Sequence, residues 1–273
     1  MNNFRILHFS DIHIGIFPHL RDFRLNKSIV GIFNHAVNRK RKQHMDAIPK
    51  LAERLKTLKP DFIICTGDLT SVGRSNEFQA AEKALEPFLE YQPSDFLYVP
   101  GNHDRYTSNQ KSNDSLRETF QALNKKRWTL VELPILHSTP VADFILLNTA
   151  FQRRWFFSNG YILKHAWKKL DELLSLPNPT KKPRIILSHF PLLDDKKKPL
   201  PYCRQLLDYK RLAQYGEEGA YQLLLCGHIH HPFINHYPAY TECCAGSLTI
   251  SQQYTVIDFD AKTNSFNYKT SFV

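Results

Sequence analysis

The chain has 273 residues, of which 42% are hydrophobic and 12% aromatic, and this composition excludes a disordered protein. No apolar run approaches the ~20 residues of a membrane-spanning helix, and residues 1–7 lack the pattern of a secretion signal. The net charge of +10 favours acidic partners, and five cysteines without metal-type spacing fit a reducing compartment. We therefore expect a cytoplasmic protein.

Apolar strands and amphipathic helices alternate along the first 231 residues. The predicted strands share an apolar run that ends in Gly, His, Asp or Asn, and they lie at 4–11, 61–68, 95–104, 184–191 and 221–231. Helices are predicted at 45–58, after a Ser75 cap, and at 165–176. This alternation predicts a sheet with helices on its outer faces and a site at the carboxyl ends of the strands.

The last third of the chain changes character. The stretches "TECCAGSLT", "YTVIDFD" and "SFNYKTSF" are predicted to be consecutive strands joined by polar turns such as 260–264. They predict a second, more antiparallel sheet packed on the first. Because no repeat or low-complexity linker interrupts the chain, we expect a single domain over 1–273, with a basic amphipathic insertion at about 17–44.

The insertion carries much of the positive charge. Residues 17–60 contain eleven Lys or Arg against three acidic residues, a net charge of +8. Ile29 and Phe33 could line one helical face, and the basic run 39–42 follows. Two interpretations stay open. In the structural one, the insertion is a helix that lies on the domain. In the functional one, it either caps the site or contacts an anionic membrane from the cytoplasmic side through 24–42.

Carboxylate, imidazole and amide side chains lie at the five predicted strand ends. They are Asp11, His13, Asp68, Asn102, His103, Asp104, His189, His228 and His230. In Asp-x-His and His-x-His, an extended backbone would point both side chains to one side. A set of nitrogen and oxygen donors without thiolates favours a divalent ion such as Mn, Fe or Zn, and it argues against a structural zinc bound by cysteine sulfur. Seven or so donors suit two ions that share a carboxylate, an arrangement used for in-line displacement at phosphorus.

The ordered set of strand-end motifs, from Asp11-Ile12-His13 to His228-Ile229-His230, resembles the calcineurin-like metallophosphoesterase superfamily. The resemblance implies an α/β fold, a four-layer αββα sandwich with two central mixed sheets flanked by helices. It also implies two divalent metal ions, with Mn preferred and Fe or Zn as alternatives. The implied reaction is hydrolysis of a phosphodiester or phosphoanhydride by attack of a metal-bound hydroxide on phosphorus.

The resemblance further implies a role for each strand-end residue. The implied metal ligands are Asp11, His13 and His230 for the first ion, Asp68 as the bridge, and Asn102, His189 and His228 for the second. His103 would contact the phosphate and protonate the leaving oxygen, and Asp104 would orient His103.

Substrate contacts are predicted outside these motifs. His231 directly follows the last ligand, and Arg153 and Trp155 belong to the segment "RRWFF", in which at least one aromatic ring is expected to be exposed. The segment His189-Phe190-Pro191 is similar to a block of class III cyclic nucleotide phosphodiesterases, which makes a cyclic nucleotide the first candidate substrate.

Three alternatives are retained. A lipid-linked pyrophosphate hydrolase, similar to UDP-diacylglucosamine hydrolases, would suit the basic insertion, although the better-known ones carry Arg where this chain has His103. A DNA repair nuclease is the second alternative, and nucleic acid would then be the partner. The third is a non-catalytic scaffold on the same fold, against which the complete set of site residues argues.

Overall fold

The computed structural model describes residues 2–16, 43–107, 109–153, 157–179 and 181–273. The predicted membrane-contact segment 24–42 and the predicted substrate contact Trp155 lie outside these described residues. The described strands, numbered in chain order, are β1 (Phe4–Phe9), β2 (Phe62–Cys65), β3 (Asp95–Tyr98), β4 (Ile135–Ser138), β5 (Asp143–Leu146), β6 (Arg184–Leu187), β7 (Leu223–Cys226), β8 (Phe233–His236), β9 (Thr241–Cys244), β10 (Gln253–Asp260) and β11 (Ser265–Phe272). The described α-helices are α1 (Ala47–Glu53), α2 (Leu55–Leu58), α3 (Ser75–Glu90), α4 (Gln110–Leu123), α5 (Lys164–Ser175) and α6 (Tyr209–Glu217).

The strands form two mixed sheets. The first has the order β11-β10-β1-β2-β3, and the second has the order β4-β5-β6-β7-β9-β8. In the first sheet β1, β2 and β3 run parallel, and in the second β5, β6, β7 and β9 do so. The carboxyl ends of parallel strands lie at one edge of their sheet, and this edge carries the predicted site residues.

The sheets stack face to face, and helices cover their outer faces. Apolar residues of β6 alternate between two clusters: Ile185 and Leu187 face the first sheet, whereas Ile186 faces α5 and α6. Phe62 and Phe144 meet between the sheets, with ring centroids 4.6 Å apart. Helices α1, α3 and α4 pack on the first sheet. The predicted four-layer αββα arrangement is therefore confirmed.

The predicted grouping of the last three strands is wrong. The stretch "TECC" forms β9, which pairs parallel with β7 in the second sheet, whereas β10 pairs antiparallel with β1 in the first. Only β10 and β11 are neighbours, joined through the predicted turn at 260–264. Alternation along a segment predicts a strand, but it carries no information about which distant strand will be its partner.

The longest described helix, α3, begins differently from the sequence expectation. We expected Ser75 to cap it, but the carboxylate of Glu77 in its first turn accepts hydrogen bonds from the backbone amides of Val72 and Arg74. Among the described residues, no helix combines the length and the apolar character that crossing a membrane requires.

A buried acid lies in the second sheet. Glu242 on β9 is fully buried, and the backbone amide of Leu192 donates a hydrogen bond of 2.5 Å to its Oε1. Its Oε2 is buried and has no hydrogen-bond partner within the described residues. Burial raises the pKa of Glu242 to about 8. The folded chain therefore holds this carboxyl protonated at neutral pH.

This protonated acid predicts a pH-dependent stability. The folded pKa exceeds the unfolded value of ~4.3, so the folded chain binds the extra proton and the free energy of unfolding falls as pH rises from about 4.3 to about 8. Between pH 5.5 and 8, the melting temperature of the Glu242→Gln variant should fall less than that of the wild type. Thermal unfolding followed by circular dichroism checks this, with exposed Glu118→Gln as the control. Parallel pH profiles for all three proteins would contradict it.

Candidate metal centre

Four of the predicted ligands form a compact group at the carboxyl ends of β1, β2 and β7. Ligand atoms of Asp11, His13, Asp68 and His230 all lie within 4.8 Å of one another. Asp11 Oδ1 is 3.4 Å from His13 Nε2 and 3.2 Å from His230 Nε2, and the two histidine nitrogens are 2.8 Å apart. The structure thus brings together the ligands predicted for the first ion and the predicted bridge.

The other three predicted ligands form a second group beside the first. Asn102 Oδ1 lies 3.0 Å from His189 Nε2 and 2.8 Å from His228 Nδ1. Asp68 Oδ2 is 3.4 Å from His189 Nε2 and 3.7 Å from His13 Nε2. Asp68 therefore faces both groups, which is the placement expected of a bridging carboxylate.

The two carboxylates provide the test of whether metal ions fit here. Asp11 Oδ2 accepts the backbone amide of His228 at 3.0 Å, and Asp68 Oδ1 accepts that of His103 at 2.7 Å. Their remaining oxygens, Asp11 Oδ1 and Asp68 Oδ2, are buried without a hydrogen-bond partner among the described residues. A buried anionic oxygen without a partner is unfavourable unless a cation neutralises it. Carboxylate, imidazole and amide donors suit Mn, Fe or Zn, so the residues fit the implied ions.

Hydrogen bonds on the far side of three rings fix which nitrogen faces the group. His189 Nδ1 donates to the Thr66 carbonyl at 2.7 Å, and His228 Nε2 donates to the Arg204 carbonyl at 3.0 Å. A carbonyl only accepts, so these nitrogens carry a proton, and in the neutral rings the opposite nitrogens present lone pairs. His13 Nδ1 points at the Thr70 carbonyl at 3.4 Å in the same way. Such outer contacts orient imidazole ligands in metal sites.

We expected an extended backbone at the Asp-x-His and His-x-His pairs, but the structure shows a different conformation there. Left-handed φ values of 46° to 74° occur at Asp11, His13, Asp68, His228 and His230. This conformation is uncommon for residues other than glycine, and each instance costs on the order of 1 kcal/mol or more. Both residues of each i, i+2 pair therefore turn left-handed after the strand. In the first pair this turn brings Asp11 Oδ1 within 3.4 Å of His13 Nε2, and it is held by backbone bonds such as His13 N to Asp68 O at 2.9 Å.

Two glycines make room for the carboxylates. A Cβ at Gly227 would lie 2.4 Å from Asp11 Oδ2, and a Cβ at Gly101 would lie 2.1 Å from Asp68 Oδ1. Both distances are far below van der Waals contact, so only glycine fits at these positions without displacing a carboxylate.

The electrostatics of the group favour positive charge beside the carboxylates. Burial alone would raise the pKa values of Asp11 and Asp68, but neighbouring histidines, His189 among them, hold both well below their usual range. Burial alone would lower the pKa of His189, but chiefly the Asp68 carboxylate raises it to about 9. His228 is the exception: burial lowers its pKa to about 3, which keeps it neutral. Ionised carboxylates and neutral imidazoles are the forms that bind metal, so a bound ion would take the place of the extra proton on His189.

The predicted catalytic imidazole, His103, lies against the first group. Its ring is 4.8 Å from that of His13, measured between centroids, and it stacks on Tyr106 at 5.3 Å. His103 Nδ1 donates to the Ser71 carbonyl at 2.7 Å, which fixes the ring and directs Nε2 the other way. Sequence reasoning missed Ser71 and Tyr106. Tyr106 follows the Asn102–Asp104 motif closely enough to have been noticed, but a backbone carbonyl leaves no signal in a sequence.

The role expected of Asp104 is corrected by its hydrogen bonds. Its Oδ2 accepts from Gly101 N at 2.9 Å and from the Tyr98 hydroxyl at 2.8 Å, and its Oδ1 accepts from Thr70 N at 3.0 Å. Asp104 therefore ties the loop after β3 to the loop after β2, and the Ser71 carbonyl, not Asp104, holds His103 Nδ1. A carboxylate three residues after a turn glycine bonds that turn's amide more readily than the side chain beside it.

Two of the three predicted substrate contacts lie among the described residues. His231 is 67% exposed, and its Nε2 lies 3.9 Å from Asp195 Oδ2. Arg153 Nε donates to Asn159 Oδ1 at 2.5 Å, and its guanidinium lies over the Tyr161 ring at 4.9 Å. Both residues keep their substrate role only as a prediction.

Comparison with known proteins bears directly on the arrangement above. Residues 4–232 match the sequence pattern of the calcineurin-like phosphoesterase family. The chain belongs to this family. A dimetal phosphatase from Danio rerio has a similar fold and superposes with a TM-score of 0.64 at 12% identity, covering 93% of this chain and 92% of the other.

Two further relatives extend the comparison. A protein of Vesicomyosocius okutanii subsp. Calyptogena okutanii named "Probable cyclic nucleotide phosphodiesterase" is 24% identical over 143 residues, so the match spans about half of either chain (52% and 51%). GAP50, the anchor in the inner membrane complex of Plasmodium, superposes with a TM-score of 0.56 at 14% identity, covering 98% of this chain and 84% of the other. At these identities the structural likeness shows the fold alone.

Metal binding at Asp11 Oδ1 and Asp68 Oδ2, the two buried oxygens that accept no hydrogen bond from a described residue, predicts a stability effect. At a Mn²⁺ concentration of about 100 times Kd, linkage contributes about 2.7 kcal/mol, which should raise the melting temperature of metal-depleted protein by about 5–10 °C. Asp68→Asn should lose most of this rise, because the shared carboxylate is replaced by a neutral amide. Thermal unfolding with and without Mn²⁺ measures it.

The matched control is Asp114→Asn, whose native carboxylate pairs with Arg117 on the surface of α4. An undiminished rise in the Asp68 variant, or an equal loss in the Asp114 variant, would place the metal elsewhere.

Proposed function

We propose that the protein is a metal-dependent hydrolase of a phosphodiester or phosphoanhydride, with two divalent ions held by the seven strand-end side chains. The observation that carries the proposal is the position of Asp68 between two groups of imidazole, amide and carboxylate donors, with one buried oxygen that accepts no hydrogen bond from any described residue. Family membership and the fold of a dimetal phosphatase support it. Mn is the proposed metal, with Fe and Zn as alternatives that share the same ligand preferences.

His103 is the proposed acid. Two bound divalent ions would supply charge stabilisation for the phosphoryl group. With Nδ1 donating to the Ser71 carbonyl, His103 can use Nε2 to contact the phosphate and to give a proton to the leaving oxygen. The stacked ring of Tyr106 and the edge of His13 limit how far the imidazole can turn. Asp104 would act without touching the substrate: its hydrogen bonds to backbone amides fix the loop that carries both Asn102 and His103.

Two substrate classes have support. The name of the Vesicomyosocius relative supports a cyclic nucleotide, as does the His189-Phe190-Pro191 segment. A lipid-linked pyrophosphate is supported by the basic composition of the predicted insertion at about 17–44, because one described residue of that insertion lies beside the centre: Gln43 Nε2 donates to the His13 carbonyl at 3.0 Å. Contact of 24–42 with an anionic membrane at the cytoplasmic face belongs to this second alternative.

The remaining alternatives have separate tests. GAP50 is described as an anchor, so a scaffold on this fold is the candidate from a different class. A protein that binds no metal even in excess Mn²⁺ and cleaves no phosphate ester would favour the scaffold. A nuclease should bind DNA with an affinity that falls steeply with salt.

Removal of the proposed acid gives the decisive variant. His103→Ala should lower kcat on bis-p-nitrophenyl phosphate by ~10²–10⁴-fold while the metal content stays at the wild-type level, because the ring acts on the substrate and not on the ions. Steady-state kinetics and elemental mass spectrometry measure the two quantities. His165→Ala removes an exposed imidazole on α5 and should change neither. Loss of metal from the His103 variant would show that the ring is a ligand.

A further inference from the structure

Arg105 is a half-buried arginine that directly follows the Asn102–Asp104 motif. Its backbone amide donates to the Asn102 carbonyl at 3.3 Å. Its guanidinium makes no ion pair or hydrogen bond with any described residue, and Nε is fully buried. Leaving a partly desolvated guanidinium without an acceptor costs free energy, so such a group marks a position where an acceptor is expected.

Arg105 lies at the same edge of the sandwich as the metal centre. Its guanidinium carbon is 5.5 Å from the ring centroid of Phe151, in the loop that follows β5. The Phe151 ring packs on Tyr161 at 4.7 Å, and Arg153 lies over Tyr161 at 4.9 Å. Two packed rings thus lie between two arginines, along a wall that joins the loop after β3 to the loop after β5.

Other stacked arginines in the described chain have the acceptor that Arg105 lacks. Arg127 lies over Trp128 at 4.5 Å and pairs with Asp95 at 2.6 Å. In the same way, Arg211 stacks on a tryptophan and pairs with Asp171 at 2.8 Å. Among the described residues, Arg105 has the ring but no carboxylate partner. An anion supplied from outside the chain would complete the same arrangement.

We propose that Arg105 is an anion subsite beside the metal centre, which binds a second phosphoryl group of the substrate. The inference rests on the proposed function, and it selects a phosphoanhydride, such as a pyrophosphate diester, over a cyclic nucleotide. The planar donors of a guanidinium match phosphate oxygens in pairs. Packing on Phe151 holds the guanidinium in place, so less freedom is lost when the anion binds.

The subsite would act on the leaving group. In anhydride hydrolysis the oxygen of water bonds to one phosphorus, and the bond from that phosphorus to the bridging oxygen breaks. The bridging oxygen leaves with the second phosphoryl group, and the two protons of water end on the products or in solvent. Negative charge on the second group grows during the step, so a cation beside it stabilises the transition state more than the bound substrate.

The test compares two esters that differ by one phosphoryl group: bis-p-nitrophenyl phosphate and P1,P2-bis(p-nitrophenyl) diphosphate. Arg105→Gln should lower the ratio of kcat/KM for the diphosphate to that for the monophosphate by about 10- to 100-fold. Arg105→Lys, which keeps the charge but not the planar donors, should restore part of the ratio. Arg117→Gln removes an equal charge from the surface of α4, where Arg117 pairs with Asp114, and should leave the ratio unchanged.

A binding measurement separates the subsite from turnover. By isothermal titration, wild-type protein loaded with Mn²⁺ should bind P,P′-dimethyl methylenediphosphonate at least ~10-fold more tightly than dimethyl phosphate, and Arg105→Gln should abolish that preference. A wild type that cleaves neither ester would overturn the proposed function, while the titration still tests Arg105. A wild type that cleaves both esters, with a ratio insensitive to Arg105→Gln, would overturn the subsite alone.

Discussion

The carboxylate of Asp68 faces two groups of proposed metal ligands at once, and this constraint determines how the loops around it are placed. One oxygen is tied to the backbone amide of His103, so the other is turned toward the histidines of both sheets. Asp11 is built in the same way, with the amide of His228 on one oxygen. Each carboxylate is therefore oriented by a backbone group from a different loop, and the geometry of the site follows from how closely those loops approach.

That close approach depends on glycine and on backbone strain together. At Gly101 and Gly227, the neighbouring carboxylates fill the space that a Cβ would need. Five of the seven proposed ligand residues adopt left-handed φ values, whose cost in free energy the stacking of two sheets must offset. Strain of this kind persists only where surrounding packing holds it, and here the buried interface between the sheets supplies that packing. Packing in the core thus holds residues such as Asp11 and His228 in the backbone conformation that the candidate site requires.

The sequence was sufficient for the fold class and for the gathering of seven side chains at one edge. Residue type reveals donors such as Asp68 and His189, and parallel strands bring their ends together. Other features are not local. The partner of β9 depends on pairing across the chain, the contact of His103 is the carbonyl of Ser71, and the stack of Arg105 on Phe151 joins two loops. None of these leaves a pattern in residue types, because each depends on the distance between segments far apart in the chain.

The spread of the ligands along the chain has a consequence for the order of assembly. Asp11 and His230 lie 3.2 Å apart in space but are separated by nearly the whole described chain. Between them, the ligands come from loops of both sheets, and no short segment holds enough of them to capture an ion. With the proposed ligand set, a metal would not template this fold as it does in a zinc finger. Both sheets would have to form and dock before the ions could bind.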